Sequence, residues 1–123
     1  MKEEVDKTFE RALELFEVSK LLYDNKHFSD SINRSYYAAF YGAKALLAKK
    51  GISTKTHAGI IKKFNYEYVH KGDFNKGISK LLSKLEEDRT DADYDISIKF
   101  TMKMAEKNLN NLEYFLEECK KFL

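Results

Sequence analysis

The segment between Ser29 and Gly51 constrains the fold more than any other. Ile32, Tyr36, Ala39, Phe40, Ala43, Leu46 and Leu47 recur at spacings of three and four, which places them on one face of a helix. Ala38, Tyr41, Gly42 and Ala45 form a second, small-residue surface behind that face. A helix that is apolar on two sides must be covered from two directions, so it belongs at the centre of a bundle. Ser29 or Asp30 is expected to cap its start, and Gly51 suits the C′ position after its end. The chain of 123 residues contains no proline and only five glycines, which favours long helices joined by short turns. One all-α domain over residues 1–123 is expected.

The neighbouring segments supply the covering helices. Val5, Phe9, Ala12, Leu13, Phe16 and Tyr23 line one face of a first helix from about Lys2 to Asp24, and Asn25, Lys26 and His27 make the turn. Thr56 is expected to cap a third helix reaching about His70, with Ile60, Ile61, Phe64 and Tyr68 inward and Gly72 beyond its end. A short fourth helix is read over roughly Phe74 to Glu86, followed by a loop to about Phe100. A last helix capped by Thr101 turns Ala105, Leu109, Leu112, Leu116, Cys119 and Leu123 inward. The simplest arrangement is an antiparallel up-and-down bundle of four principal helices plus one short helix.

Several function classes fit poorly. No run approaches the ~18 apolar residues of a membrane span, and the acidic start Lys2-Glu3-Glu4 is unlike a secretory leader. With the lone Cys119 this points to a cytoplasmic protein. There is no Gly-x-Ser-x-Gly elbow and no phosphate-binding glycine loop. Asp91, Asp93 and Asp95 alternate, but Ile96 and Met102 stand where an EF-hand needs its glycine and its bidentate glutamate. The histidines His27, His57 and His70 lack zinc-site spacing. Neither a metal nor an organic cofactor is expected.

The net charge of +2 divides unevenly: residues 1–43 carry −2, residues 44–84 carry +8 and residues 85–123 carry −4. The basic third consists of lysines that are either solvated helix faces or an attraction for a polyanion. Arg34, one turn before Ala38, invites two readings. One is a buried or half-buried ion pair with an aspartate of the Asp91, Asp93 and Asp95 group. The other is a phosphate clamp, for which a planar guanidinium is well shaped. Arg89, read as a loop residue, is free to reach a ligand. His57 at the start of the third helix is either a catalytic base or an N-terminal hydrogen-bonding group, with the helix dipole favouring its neutral form. Tyr36 and Phe40 read as core, and Tyr37 and Tyr41 are open to stacking on a base.

Three motifs then come together: Ser31-x-Asn33-Arg34-x-Tyr36-Tyr37-Ala38-Ala39-Phe40, Lys55-Thr56-His57-x-Gly59, and Arg89-x-x-Ala92-Asp93-Tyr94-Asp95. In this order they resemble the small stand-alone HEPN-domain proteins of prokaryotes. The resemblance implies an up-and-down bundle that pairs into a homodimer, often with a minimal nucleotidyltransferase as partner in a toxin-antitoxin system. It also implies a metal-independent ribonuclease site in which an arginine is followed, after four to six residues, by a histidine. Arg89 matches the arginine, but Tyr94 stands where the histidine belongs and no histidine follows within six positions. A tyrosine with its ordinary pKa of ~10 is a poor base at neutral pH.

The expectation is a HEPN-type RNA- or nucleotide-binding protein, ribonuclease-like if its groove is catalytic. Arg89, Tyr94 and His57 are the candidate catalytic residues. Asn33, Arg34, Tyr37 and Asp93 are the candidate binding residues. The alternative is a non-enzymatic dimeric module that binds a protein partner.

Overall fold

The computed structural model describes residues 2–123. Its regular elements among the described residues are all helical: α1 (Lys2–Asp24), α2 (Phe28–Lys49), α3 (His57–Phe64) continued by a π-helical stretch (Asn65–His70), α4 (Lys76–Tyr94) and α5 (Met102–Lys120). None of these helices is long and apolar enough to cross a membrane.

The tie points give the directions. Ser19 of α1 meets Ser31 and Ser35 of α2, Ser29 of α2 meets Ala92 at the far end of α4, and Asn108 of α5 meets Asp88 of α4. Each of these pairs runs antiparallel. The expected up-and-down bundle is therefore present, with α2 at its centre. All seven residues of the main apolar face of α2 are buried, as are Ala38, Gly42 and Ala45 behind it. A Cβ on Gly42 would sit 3.0 Å from Leu116 Cδ2 of α5. The missing side chain lets α2 and α5 approach closely, and adding it would force Leu116 to move.

Helix ends follow the capping chemistry in most places. Thr56 Oγ1 accepts from Gly59 N at 2.9 Å, and Thr101 Oγ1 accepts from Met104 N at 3.3 Å. Gly51 has φ +73°, the left-handed conformation a C′ residue needs. The start of α2 differs from expectation. The cap position falls on His27, which makes no side-chain cap bond, and the Ser29 hydroxyl instead donates to Ala92 O at 3.1 Å. Asp30 lies in the first turn, where its charge complements the helix dipole.

The largest difference lies in α4, which does not stop near Glu86 but runs to Tyr94. No glycine or proline interrupts residues 86–94. The Thr90 hydroxyl folds back onto Glu86 O at 3.0 Å, and Arg89 and Asp93 pair at i,i+4. The Ser29 hydroxyl then satisfies one of the end carbonyls that such a helix leaves free. Arg89 is thus a helix residue rather than a loop residue. The short helical piece is α3, extended by the π-helical stretch to the expected end at His70.

Two other core assignments shift. In α1 the buried line is Val5, Phe9, Ala12, Leu15 and Ser19, and Leu13, Phe16 and Tyr23 are only partly covered. Leu123 lies beyond the end of α5 and is 43% exposed. Phe115 takes the inward place between Leu112 and Leu116, packing on Phe64 and Phe74 with ring centroids 5.8 and 5.6 Å away. A fully buried side chain of this size contributes about 2–3 kcal/mol.

Candidate functional site

The antiparallel pairing of α2 with α4 decides which side chains meet. Glu86, Arg89 and Asp93 fall at i, i+3 and i+7, so one face of α4 presents an acid, a base and an acid to α2. Asn33 and Tyr36, three apart on α2, face them. Asn33 Nδ2 donates to both carboxylate oxygens of Asp93, at 3.0 and 3.1 Å. Asp93 Oδ2 lies 3.6 Å from Arg89 Nη1. The Arg89 guanidinium lies over the Tyr36 ring, 4.8 Å from its centroid, and 6.0 Å from that of Tyr37. The Tyr36 hydroxyl donates to Glu86 Oε2 at 3.5 Å.

One hydrogen-bond donor of this junction has no partner among the described residues. The Arg89 side chain is 18% exposed, and its buried Nε–H has no hydrogen-bond partner. A cation–π contact offers about 1–2 kcal/mol, and a hydrogen bond to a charged group about 1.5–3 kcal/mol. Stacking on Tyr36 therefore does not replace the missing bond. Tyr36 is fully buried. Its burial, reinforced by the Glu86 carboxylate, pushes its hydroxyl up to about 12, so it stays protonated over the physiological range.

His57 lies against the same aromatic pair. After Gly51 the chain turns back along α2, and Thr56 starts α3 beside the middle of that helix. The His57 ring stacks on Phe40 at 4.1 Å and 26°. It lies 5.7 Å from the Tyr37 ring and 6.4 Å from the Tyr36 ring. Arg89 and His57 therefore lie near one pair of tyrosines, although 32 positions separate them in sequence. His57 remains exposed to solvent.

Arg34 does not join this cluster. It is exposed and forms no ion pair with the described residues, so the buried pairing expected with Asp91, Asp93 or Asp95 is not formed. The preceding residue, Asn33, faces α4 instead. One step along a helix is a rotation of ~100°, enough to carry Arg34 off that face. Tyr94 also stands apart. Five positions beyond Arg89 it points elsewhere on α4, and it is 75% exposed. Asp91 and Asp95 likewise do not reach Asn33. Asp95 instead accepts from Ser97 N at 3.0 Å in the loop after α4.

A cavity of about 470 Å³ opens elsewhere, between the start of α1 and the end of α2. Val5, Ala48, Gly51 and Leu123 line it, and it shares no residue with the Arg89 cluster.

The model of the HEPN domain matches residues 5–122, almost the whole chain. The chain belongs to the HEPN family. Its sequence is 36% identical over 123 residues to the Methanocaldococcus jannaschii protein named "Putative toxin MJ0605", a match covering all of this chain and 91% of that one. A second protein of that organism, "Putative toxin MJ0142", is 33% identical over 122 residues, covering 99% and 83% of the two chains. A Thermotoga maritima "UPF0332 protein" is 34% identical over 113 residues, covering 92% and 86%.

Within this HEPN chain, the site residues that sequence reasoning missed are Tyr36, assigned only to the core, and Glu86. The signal that could have found Glu86 is its spacing from Arg89 and Asp93. That spacing has meaning only once the helix is carried past Glu86.

Proposed function

We propose that this HEPN protein is a toxin-like, RNA-binding component of a system paired with a minimal nucleotidyltransferase, and that RNA phosphate is held at Arg89. The observation carrying this reading is the partly exposed Arg89 guanidinium, held over the Tyr36 ring with an Nε–H that has no protein partner. A planar donor fork held in place before a ligand arrives loses little freedom on binding phosphate. Asp93, itself fixed by Asn33, positions the guanidinium. Tyr37, half-buried at the rim, offers a face for a base.

His57 is the only histidine against this aromatic pair. In the catalytic form of the reading it accepts the proton of a ribose 2′-hydroxyl. The 2′-oxygen then attacks the adjacent phosphorus, Arg89 steadies the phosphate oxygens, and the bond to the 5′-oxygen breaks. The 5′-oxygen takes a proton from solvent water as it leaves and His57 returns its own to solvent, giving a 2′,3′-cyclic phosphate and a 5′-hydroxyl. Tyr94 has no part in this step.

Homodimer formation and contact with the nucleotidyltransferase are proposed at the end of α4. There Tyr94 and Ile96 are 75% and 103% exposed. Apolar groups this open to water favour covering by a partner.

The test is an RNA-binding and cleavage assay in EDTA with wild type, Arg89→Ala and His57→Ala. Loss of binding with Arg89→Ala, and retained binding without cleavage for His57→Ala, is expected. Equal binding by wild type and Arg89→Ala would remove the site. Binding of RNA without cleavage by any of the proteins would leave a binding component and remove the catalytic form.

A further inference from the structure

The +8 segment of residues 44–84 is not used by the Arg89 site, and its exposed residues fall into a pattern. Ala58, Lys62, Tyr66 and His70 follow one another at four-residue spacing along α3 and its π-helical continuation, and all are exposed. Four-residue steps keep side chains on one face, so these residues form a stripe on the side of α3 opposite its buried Ile60 and Phe64. Lys55 stands exposed just before the stripe and Lys63 beside it.

The chemistry of the stripe is unusual for a solvated helix face. Tyr66 is 51% exposed, and it stacks on His70 with centroids 6.0 Å apart at 23°. Lys71 Nζ lies 5.3 Å from the Tyr66 centroid. An exposed aromatic pair thus stands here with a cation over the Tyr66 ring. Lys55, Lys62 and Lys63 form no ion pair among the described residues. The one acid nearby, Glu67, is taken up by Lys50 and Lys71, each at 3.5 Å. Unpaired cations interleaved with an exposed aromatic platform are what a single-stranded nucleic acid requires: charge along its backbone and faces for its bases. The π-helical winding of Asn65–His70 supplies a local cause, since it resets the angular position of Tyr66 and His70 relative to a regular helix.

The stripe also begins at the site. His57 and Ala58 are adjacent at the start of α3, and Tyr66 lies about 14 Å further along at the usual helical rise. That is the length of about four stacked nucleotides.

We propose that the Lys62–Tyr66–His70 face is a second RNA subsite, which carries single-stranded RNA onward from the Arg89–His57 site. It rests on the reading of that site as an RNA site, and it adds that recognition depends on strand length. A di- or trinucleotide occupies the Arg89 site alone. A strand of about eight nucleotides reaches Tyr66 as well.

The test measures dissociation constants for a single-stranded RNA dinucleotide and octanucleotide with wild type, Tyr66→Ala, Tyr66→Phe, Lys62→Gln/Lys63→Gln and Arg89→Ala. Thermal melts serve as the folding check. Tyr66→Ala is expected to weaken octanucleotide binding about tenfold, to leave the dinucleotide unchanged, and to be rescued by Tyr66→Phe. The double lysine variant is expected to flatten the salt dependence for the octanucleotide by about one unit of slope. Octanucleotide binding that is lost in Arg89→Ala but untouched by the Tyr66 and lysine variants overturns the second subsite and leaves the first. Binding sensitive to Tyr66 but not to Arg89 keeps this face as an RNA surface and overturns the Arg89 site. No binding of the octanucleotide by wild type overturns both.

Discussion

Two of the polar junctions between helices in this bundle, α1–α2 and α2–α4, are resolved in opposite ways. Between α1 and α2 the hydroxyl of Ser19 lies 2.8 Å from Ser31 O and 2.7 Å from Ser35 Oγ, and Ser31 Oγ donates to Ser19 O at 2.9 Å. All three serines are fully buried and every hydroxyl has a partner. Between α2 and α4 the groups are larger and charged, and Arg89 keeps an unpaired donor. The first junction is complete in itself and holds two helices in register. The second leaves one donor without a protein partner. A satisfied buried network holds helices in register, and an unsatisfied donor calls for an explanation, which the RNA reading proposed above supplies.

Substitutions should separate the two junctions cleanly. The largest effect is expected for Arg89→Ala, which should weaken RNA binding from tenfold to more than a hundredfold, the worth of one or two charge-assisted hydrogen bonds. Its melting temperature should fall by only a few degrees, since the stack over Tyr36 is lost while the pair with Asp93, long and partly exposed, contributes little. Ser19→Ala should do the reverse. Urea unfolding should show a loss of about 1–3 kcal/mol, because the Ser31 carbonyl and Ser35 hydroxyl lose their partner in the core, while RNA affinity stays within twofold.

A pH titration sharpens the same comparison, because the serine junction does not titrate there and Tyr36 does. The Tyr36 hydroxyl is held up to about 12 in the folded chain, first by burial and then by Glu86, against ~10 in the unfolded chain. The folded state therefore binds more protons above pH ~10. Stability from this group is complete below that value and is lost as pH rises towards about 12. Tyr68, also pushed up to about 12 by burial, adds to the same loss. Chemical denaturation at pH 9 and 11 should show a smaller alkaline loss in Tyr36→Phe than in wild type, and an alkaline loss in Ser19→Ala equal to that of wild type.

Smaller effects follow at the edge of the site. Asp93→Asn keeps a group that Asn33 can bond but removes the charge that draws Arg89, and should weaken RNA binding about three- to tenfold in a titration. Arg34→Ala should change unfolding free energy by less than about 0.5 kcal/mol, as expected for an exposed residue with no partner among those described.

The helices were legible in the sequence because apolar residues repeat at helical spacing and the caps at Thr56 and Thr101 and the left-handed Gly51 mark boundaries chemically. The end of α4 was not legible, because the acids around Arg89 resemble loop composition. What carries the helix on is the docking of its last turns against Ser29 and Asn33, a tertiary effect that propensity does not register. The same docking explains the exchange of Arg34 for Asn33. Which residue of an adjacent pair faces a neighbouring helix depends on where that neighbour lies, and a fourth helix that stops near Glu86 faces neither. The approach of His57 to the Tyr36–Tyr37 wall depends on the path of the chain after Gly51, which no periodicity encodes.

The central claim is that the Arg89 guanidinium, held over the Tyr36 ring with a donor to spare, is the phosphate-holding group. It is tested most directly by titrating a single-stranded RNA octanucleotide against wild type and Arg89→Lys at several salt concentrations, with melting curves of both proteins. Lysine keeps the charge but loses the planar fork. The account predicts matching melts, an unchanged salt slope and at least tenfold weaker binding by the lysine variant. Equal affinity of the two proteins at every salt concentration would contradict it.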